Sequence, residues 1–295
     1  MSQIGMQDFS IHIWHWLPLF FAFVIGGVTG SFIGVVTRRL PVMMGQSEHP
    51  KELEGQNTTE KLTLAYPRSH CAECKKPLRL HHNIPLISYV FLKGFCAYCK
   101  KPIGFWSFTI ELLCALWWSL CYIQNGLCAT SLVFALYGSA LLCLAFIDWQ
   151  TQLLPDAITQ PLLWGGLIAS ALGLSSVPLT VSLWGAVLGY LVLWTVSRSY
   201  YILRGHLGMG DGDLKLVGAL GAWMGPIPLI ALILLACVSG ILGALILRLK
   251  GRMKAGDYIP FGPFLVFSSL LIHTYLNKSA YPYTDLLSQL SKLSN

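Results

Sequence analysis

The sequence predicts an all-α polytopic membrane protein with about eight transmembrane helices and one polar loop domain on the cytoplasmic side. Hydrophobic residues make up 55% of the 295 residues and charged residues only 11%, whereas a soluble globular chain carries about 25% charged residues. Apolar runs of membrane-spanning length recur along the chain. The segment 37–104 alone holds 11 of the 20 lysines and arginines. This composition excludes a soluble globular protein, a disordered protein and a coiled coil.

The chain is predicted to contain four regions. The first transmembrane segment lies in 1–36, with its apolar run at 16–36, and the basic cytoplasmic loop is 37–104. A seven-helix region, 105–277, follows, and a polar C-terminal tail occupies 278–295. The spans predicted in the seven-helix region are 105–124, 129–147, 157–174, 180–203, 214–224, 227–247 and 259–276.

The apolar stretch 214–249 is too long for one span and is interrupted at 225–228, a Gly-Pro-Ile-Pro run. Proline removes a backbone donor and disfavours helix at the residue before it, so we predict a short helix, 214–224, followed by a full span. The positions of the basic residues also require two helices in this stretch. Lysine and arginine near spans stay on the cytoplasmic side, and the basic residues on both sides of this stretch can share that side only if it crosses twice. The resulting topology has both termini outside.

Four aspartates are predicted at the cytoplasmic membrane boundary, where acidic side chains are costly and are therefore candidates for function. Asp148 ends one span, and Asp156 precedes the next. Asp211 and Asp213 lie in the run Gly-Met-Gly-Asp-Gly-Asp before the short helix. Structural interpretations stand beside the functional one. Asp156 fits an N-cap, Asp148 a solvated residue at a helix end, and Asp211 with Asp213 a capped glycine-rich turn.

Two carboxyl groups from different helices that share one proton can perform aspartic proteolysis. The ionised carboxylate accepts a proton from water, while the protonated partner donates to the carbonyl oxygen of the peptide. Like-charge repulsion keeps one proton on such a pair. Two other functions remain open at this point. One is a proton- or cation-coupled transporter that uses the carboxylates as a relay, and the other is a non-catalytic zinc-loop membrane scaffold.

The basic loop contains two Cys-x-x-Cys pairs, Cys71 with Cys74 and Cys96 with Cys99, separated by 21 residues. This spacing is typical of a structural four-thiolate zinc site, so we predict a zinc-binding cytoplasmic loop domain. Two disulfides are the alternative, which a cytoplasmic location disfavours. Lysines next to the cysteines are expected to offset the negative charge of the thiolates.

With these motifs the chain resembles the bacterial type IV prepilin peptidases, also called leader peptidase/N-methyltransferases, over about 25–277. The resemblance rests on Gly30-Ser31-Phe32, Arg39-Leu40-Pro41, Arg68-Ser69-His70-Cys71, Asn83-Ile84-Pro85, Ser88-Tyr89, Leu92-Lys93-Gly94, both cysteine pairs, Asp148 with Leu154-Pro155-Asp156, the glycine-rich run before Leu214-Lys215, and Ile259-Pro260-Phe261-Gly262-Pro263. It implies an aspartic endopeptidase of the bacterial inner membrane that removes short basic leaders after a glycine, on the cytoplasmic side. It also implies N-methylation of the new N-terminal residue, often phenylalanine, with S-adenosylmethionine as methyl donor.

The resemblance assigns the catalytic pair to Asp148 and Asp213. Asp211 stands where the family commonly has an aromatic or aliphatic residue, so two registers of the motif compete, and the Leu-Lys that follows Asp213 favours that register. The expected partners are prepilin and pseudopilin substrates and membrane lipid, with no nucleic acid. No residues can be assigned to S-adenosylmethionine, because the sequence has no G-x-G-x-x-G motif.

Two departures from the family pattern lie in the region that the resemblance links to methyl transfer. The first cysteine pair reads Cys-Ala-Glu-Cys, where a proline is common after the first cysteine. Glu111 lacks the Arg-Tyr-Pro that usually precedes it. Glu111 fits either a functional carboxylate or an acidic residue that the helix dipole favours near a helix start.

Overall fold

The computed structural model describes residues 4–45, 63–66, 70–71, 73–78, 84–206, 208–251 and 259–278. This part of the chain is helical, with two isolated β-bridges and no longer strand. Its helices are α1 (Ile4–Met43), α2 (Ile87–Phe91), α3 (Phe105–Asn125), α4 (Ala129–Thr151), α5 (Asp156–Ala171), α6 (Leu179–Arg204), α7 (Asp211–Met224), α8 (Pro226–Leu249) and α9 (Gly262–Lys278). The all-helical prediction is confirmed. The predicted C-terminal tail lies outside the described residues after Lys278, where α9 ends.

Each predicted span coincides with a helix, and five helices are long and apolar enough to cross a membrane. These are the Trp16–Met43 part of α1, and α3, α4, α6 and α8. The helices α5, α7 and α9 have 16, 14 and 17 residues, which is about 24, 21 and 26 Å at 1.5 Å per residue. They are shorter than the ~30 Å of a bilayer core. The structure therefore shows five candidate membrane spans.

The chain forms two compact units, and in the first, 1–143, α1 packs along α3. Two glycines of α1 make the contact. A Cβ on Gly26 would lie 2.7 Å from the Cα of Ala115, and a Cβ on Gly30 would lie 2.6 Å from the Cα of Glu111. No side chain fits at such distances, so the two backbones touch, as small residues allow in membrane helices.

The second unit, 144–295, is built around α7, which is almost entirely buried and is contacted by α5, α6, α8 and α9. From Leu216 to Met224 every residue of α7 is buried, so protein surrounds this apolar part of the helix. At Gly185 of α6 a Cβ would lie 2.7 Å from the Cα of Gly225. The Ser182 hydroxyl donates to the carbonyl of Ala222 at 2.6 Å, which satisfies one of the last α7 carbonyls that lack a helical partner.

The predicted break within the long apolar stretch is confirmed. Helix α7 ends at Met224, and Gly225 follows with φ 77°, a conformation that favours glycine. Its N–H still donates to the carbonyl of Gly221 at 2.8 Å. Pro226 then begins α8 at a position whose N–H needs no intrahelical acceptor.

Candidate functional site

Asp148 and Asp213 both belong to the second unit, come from separate helices and lie close enough for their charges to interact. Asp148 is in the last turn of α4 and only 4% exposed. Asp213 is in the first turn of α7 and half-buried. The interpretation of Asp148 as a solvated residue at a helix end is therefore wrong, because protein covers its carboxylate.

The Asp148 carboxylate is held by the backbone at the start of α9. Its Oδ2 accepts a hydrogen bond from the N–H of Gly262 at 2.9 Å. The first N–H groups of a helix have no intrahelical acceptor, and the carboxylate supplies one. A Cβ on Gly262 would lie 2.6 Å from the same Oδ2. Position 262 therefore has no room for a side chain while Asp148 keeps this orientation.

The glycine-rich loop brings Asp213 to the site by packing tightly on both sides. A Cβ on Gly208 would lie 2.8 Å from Cδ1 of Tyr200 on α6. A Cβ on Gly212 would lie 2.9 Å from the Cβ of Leu154, in the turn between α4 and α5. The glycines thus let the chain turn into α7 between two neighbouring elements.

Asp211 and Asp213 face different directions at the start of α7. They are two positions apart, about 200° around a helix, and Asp211 is exposed whereas Asp213 is half-buried. Gly210 is the N-cap residue, and no side chain makes a capping hydrogen bond there. The interpretation of the two aspartates as caps of a turn is therefore wrong.

Asp156 is not an N-cap either. It is the first residue of α5, and Pro155 occupies the cap position. Both Asp156 carboxylate oxygens accept hydrogen bonds from Nζ of Lys215, at 2.8 and 2.7 Å. The N-cap interpretation is wrong because this carboxylate instead joins α5 to α7.

Sequence reasoning assigned neither Gly262 nor Lys215 to the site. Both stand within motifs on which the family resemblance rests, and that was the only signal for them. Gly262 lies 114 positions from its partner Asp148, and Lys215 lies 59 positions from Asp156. No local pattern links residues so far apart in the chain.

The four loop cysteines come together in the first unit. Their Sγ atoms all lie within 4.8 Å of one another, and the Sγ atoms of Cys71 and Cys99 are 3.8 Å apart. All four thiols are free, so the disulfide alternative is not what the structure has. Sulfurs at the corners of a tetrahedron, about 2.3 Å from a central zinc ion, would be about 3.8 Å apart. The four cysteines could therefore hold a metal ion.

Both Cys-x-x-Cys pairs fold into the same knuckle, which we define as residues 70–77 and 95–102. In each knuckle the N–H of the first cysteine donates to the carbonyl five positions on, and its carbonyl accepts from the N–H four positions on, at 2.8 to 3.1 Å. The residues after the second cysteines, Lys75 and Lys100, both have φ 58°. One isolated β-bridge closes each knuckle. The two pairs are thus two copies of one local structure.

Lysines connect the two knuckles. Lys101 forms an ion pair with Glu73, and this hydrogen-bonded contact, with a smaller effect of nearby thiolates, raises the pKa of Lys101. The ammonium of Lys76 lies 5.5 Å from the ring centre of Tyr98, a cation–π contact between knuckles. These lysines do more than offset the thiolate charge, since they also tie one knuckle to the other.

Backbone hydrogen bonds favour the thiolate form of Cys96, which is the form that binds metal. The N–H groups of Cys99 and Tyr98 donate to the sulfur of Cys96 and lower the pKa of that thiol to about 6. At Cys99 the N–H of Lys101 lowers the pKa, but burial and the neighbouring thiols outweigh it and raise the value to about 11. Hydrogen bonds to the charged form favour that form, and the thiolate is the form that binds metal.

Glu111 of α3 fastens the segment before α2. Its Oε2 accepts a hydrogen bond from the N–H of Leu86 at 2.8 Å, and the hydroxyl of Ser31 on α1 also bonds to the carboxylate. Leu86 has φ 58°, an uncommon conformation for a residue with a branched side chain. Glu111 therefore joins α1, α3 and the strained segment that leads into α2.

Comparisons with known proteins agree along the chain. The family model described as "Bacterial Peptidase A24 N-terminal domain" matches residues 24–125, and that described as "Type IV leader peptidase family" matches 132–246. A "Prepilin leader peptidase/N-methyltransferase" of Neisseria gonorrhoeae is 38% identical over 276 residues, covering 91% of this chain and 94% of the relative. Relatives with the same name from Stutzerimonas stutzeri and Dickeya chrysanthemi are 40% and 37% identical, covering 84% and 92% of this chain and 87% and 96% of their own lengths.

No solved structure matches the chain. The two family matches nevertheless cover separate parts of the sequence, and the relatives align along most of their own length. The resemblance first noted in short motifs therefore extends over nearly the whole sequence. The chain belongs to the type IV leader peptidase family.

Proposed function

We propose that this protein is an aspartic endopeptidase that removes short basic leaders from prepilins and pseudopilins after a glycine, with Asp148 and Asp213 as the catalytic pair. The observation that carries the proposal is that these two carboxyl groups, one buried and one half-buried, come from separate helices and lie close enough for their charges to interact. The relatives' name, prepilin leader peptidase/N-methyltransferase, supplies the substrate class. At Gly210 the nearest atom to a Cβ would be Oδ2 of Asp213, at 3.8 Å, so this glycine leaves room for a peptide backbone to approach Asp213.

In this proposal the pair activates a water molecule that attacks the peptide carbonyl after the glycine. One carboxylate takes a proton from the water, and the protonated partner donates to the carbonyl oxygen. No serine or cysteine acts as a nucleophile. The substrate's basic leader stays at the cytoplasmic surface, while its apolar helix lies against the helices of the seven-helix region 105–277, which we assign as the peptidase core.

The proposal places eight spans in the bacterial inner membrane, with both termini outside and the carboxylate pair at the cytoplasmic boundary. The basic residues near the helix ends support this topology. The helices α5, α7 and α9 are short for a span, and a membrane thins locally around short helices. Reporter fusions at 125–128 and 175–179 should report an outside location, and fusions at 149–156 an inside one. The reverse result would contradict the topology.

A second proposed activity is methyl transfer from S-adenosylmethionine to the amine that cleavage exposes. The relatives' name supports it. We assign a structural zinc ion to Cys71, Cys74, Cys96 and Cys99, because four thiolates leave no open position for water. The folded loop 37–104 would then complete the substrate groove or support methyl transfer. Zinc removal that left both activities intact would contradict this role.

The experiment uses the full-length protein in detergent and a prepilin with a Gly-Phe junction. The Asp148→Asn and Asp213→Asn proteins should each lose cleavage by more than about 1,000-fold, the scale seen when one member of a catalytic group is removed. Asp211→Asn is the matched control, since Asp211 lies on the same turn but faces away, and it should cleave normally. Mass measurement of the product should show cleavage after glycine and, with added S-adenosylmethionine, a gain of one methylene unit.

Retained cleavage in both the Asp148→Asn and Asp213→Asn proteins would contradict the aspartic mechanism. Loss in Asp211→Asn with activity in Asp213→Asn would contradict the chosen register. An inactive wild-type protein that instead moves protons or cations across vesicles would favour the transporter. If all three aspartate changes are silent while cysteine changes unfold the loop, the scaffold function is favoured.

A further inference from the structure

The two carboxyl groups of the pair have unequal surroundings. Asp148 accepts a hydrogen bond from the Gly262 N–H at 2.9 Å. Among the residues that the structure describes, burial and the charge of Asp148 are the influences on Asp213, and no donor to its carboxylate accompanies them. One carboxyl group therefore has a fixed donor, and the other has none within the described chain.

The donor to Asp148 belongs to the start of a helix. Gly262 is the first residue of the 17-residue α9, whose first turn contains no acidic residue of its own. Asp213 itself lies in the first turn of α7, so the partial positive charge of a helix start does not distinguish the two aspartates; the direct hydrogen bond does. The next residue, Pro263, has no N–H, and the N–H of Phe264 donates to the carbonyl of Phe261. The Gly262 N–H is thus the first-turn donor left for the Asp148 carboxylate.

A backbone N–H can only donate, so its bond to Oδ2 favours the ionised form of Asp148. The same donor offers nothing to Asp213. When the two groups share one proton, these surroundings make the proton more stable on Asp213 than on Asp148. This difference between the two aspartates follows from geometry, because the oxygen that lies 2.9 Å from the Gly262 nitrogen is Oδ2 of Asp148.

We propose that Asp148 is the ionised member and general base of the pair, that Asp213 carries the shared proton, and that Gly262 is the positioning residue that imposes this order. The catalytic meaning rests on the proposed function, while the location of the proton does not.

The order gives a balanced sequence of proton transfers. Asp148 takes a proton from water as the water oxygen bonds to the peptide carbon, and Asp213 gives its proton to the carbonyl oxygen. A gem-diol results, with Asp148 protonated and Asp213 ionised. Asp148 then protonates the leaving nitrogen as the C–N bond breaks, while Asp213 takes a proton from one gem-diol hydroxyl. Carboxylic acid and amine are released, and both groups return to their starting states.

Infrared spectroscopy of the full-length protein in detergent tests the proton's location without any substrate. Each single variant removes the repulsion between the two carboxylates, so it reports the surroundings of the one that remains. The carbonyl stretch of a protonated carboxyl group, assigned to aspartate by ¹³C labelling, should persist to a higher pH in Asp148→Asn than in Asp213→Asn. The opposite result would overturn the proposal. This spectrum is independent of peptide cleavage, so an inactive protein would contradict the proposed function and leave the assignment of the proton standing.

A double variant tests the role of Gly262. In the Asp213→Asn background, Gly262→Ala places a methyl group 2.6 Å from Oδ2 and should push the carboxylate off its donor, so that the protonated band of Asp148 persists to a higher pH. The backbone at Gly262 has no positive φ, so alanine itself is not strained there. Gly240→Ala is the matched control, because its methyl group would meet Phe264 of α9 at an ordinary 3.6 Å. It should leave the spectrum unchanged.

With Asp213 intact, Gly262→Ala should lower kcat by about 100-fold, the scale of a small misplacement at a reacting group. KM should stay unchanged. A circular dichroism spectrum equal to that of Gly240→Ala would show that the variant is folded. A folded Gly262→Ala protein with normal kcat, or a double variant in which the band disappears at the same pH as in Asp213→Asn, would overturn the role of Gly262.

Discussion

Lys215 binds both carboxylate oxygens of Asp156, at 2.8 and 2.7 Å, and so connects α7 to the start of α5. The pair lies close in sequence to the catalytic candidates, since Lys215 follows Asp213 by two positions. Its side chains are 35% and 55% exposed. Solvent therefore screens the ion pair, so we expect it to add little to the free energy of unfolding and to act mainly by holding α7 next to the start of α5.

A double-mutant cycle with Asp156→Asn and Lys215→Gln should give a coupling free energy below about 1 kcal/mol, as exposed ion pairs do. Loss of a pair this weak can change the stability of the conformation at the start of α7 by no more than that energy. Cleavage should therefore fall by less than about tenfold, because 1.4 kcal/mol corresponds to a factor of ten. A coupling of several kcal/mol, or complete loss of cleavage, would contradict this expectation.

Glycines along α1 should differ sharply in their tolerance of alanine. Gly30→Ala would put a methyl group 2.6 Å from the Cα of Glu111, so the two helices must move apart, at a cost of about 1–3 kcal/mol. Gly34→Ala is the matched control on the same helix, because nothing lies within 4 Å of its Cβ. It should be neutral or stabilising by up to about 1 kcal/mol. Denaturant titration in detergent would measure both, and equal stabilities would contradict the close packing.

Removing the Glu111 carboxylate should release the segment before α2. In Glu111→Ala the partly buried N–H of Leu86 loses its acceptor, and a donor left without a partner costs up to about 1–3 kcal/mol. Amide exchange at Leu86 should therefore speed up about tenfold or more. Glu111→Gln retains a carbonyl oxygen that can accept the bond, so its exchange should stay close to that of the wild type. Equal exchange in the alanine and glutamine proteins would refute the contact.

Loss of the metal should affect the knuckles and leave the second unit folded. Cys96→Ser should abolish binding of about one zinc ion per chain, since three thiolates remain of four. Proteolysis should then cut within 70–102. Cys237→Ser, an exposed cysteine of α8, is the control and should keep the metal. Full zinc content in Cys96→Ser would exclude the four-thiolate site.

Thiolate absorbance should distinguish the knuckle cysteines in metal-free protein. With its pKa lowered to about 6, Cys96 is mostly thiolate at pH 7, and about tenfold less so at pH 5. Cys99, with its pKa raised to about 11, stays protonated across this range. The absorbance change between pH 5 and pH 7 should therefore vanish in Cys96→Ser and persist in Cys99→Ser. The opposite pattern would contradict the backbone hydrogen bonds to Cys96.

The helices could be predicted because apolar length, glycine and proline are local signals. The break after Met224 follows from the Gly-Pro-Ile-Pro run, and the structure places it there. Helix starts were less accurate. The start of α7 lies at Asp211, three positions before the prediction, because Gly210 provides the cap and the acidic residues enter the first turn. The five-residue α2 has no periodic pattern long enough to detect.

The sequence predicts which residues belong to the site, but it does not predict the contacts that these residues make. A carboxylate at a membrane boundary is costly wherever it stands, so Asp148 and Asp213 are visible in the sequence. The N-cap prediction for Asp156 is wrong because it considers only neighbouring residues, whereas the carboxylate binds Lys215, a residue distant in sequence. The bond from Gly262 to Asp148 depends on the packing of α9 against the end of α4, which no spacing in the sequence encodes.

The repeated knuckle has a consequence for the order of assembly. Within a knuckle the two sulfurs are separated by two residues, whereas 21 residues separate one pair from the other, and the entropy of closing a loop grows with its length. The first pair leaves the ribosome as a complete two-sulfur chelate before the second pair has emerged. An ion captured there turns the later arrival of Cys96 and Cys99 into an intramolecular step, with the high effective concentration that tethering provides.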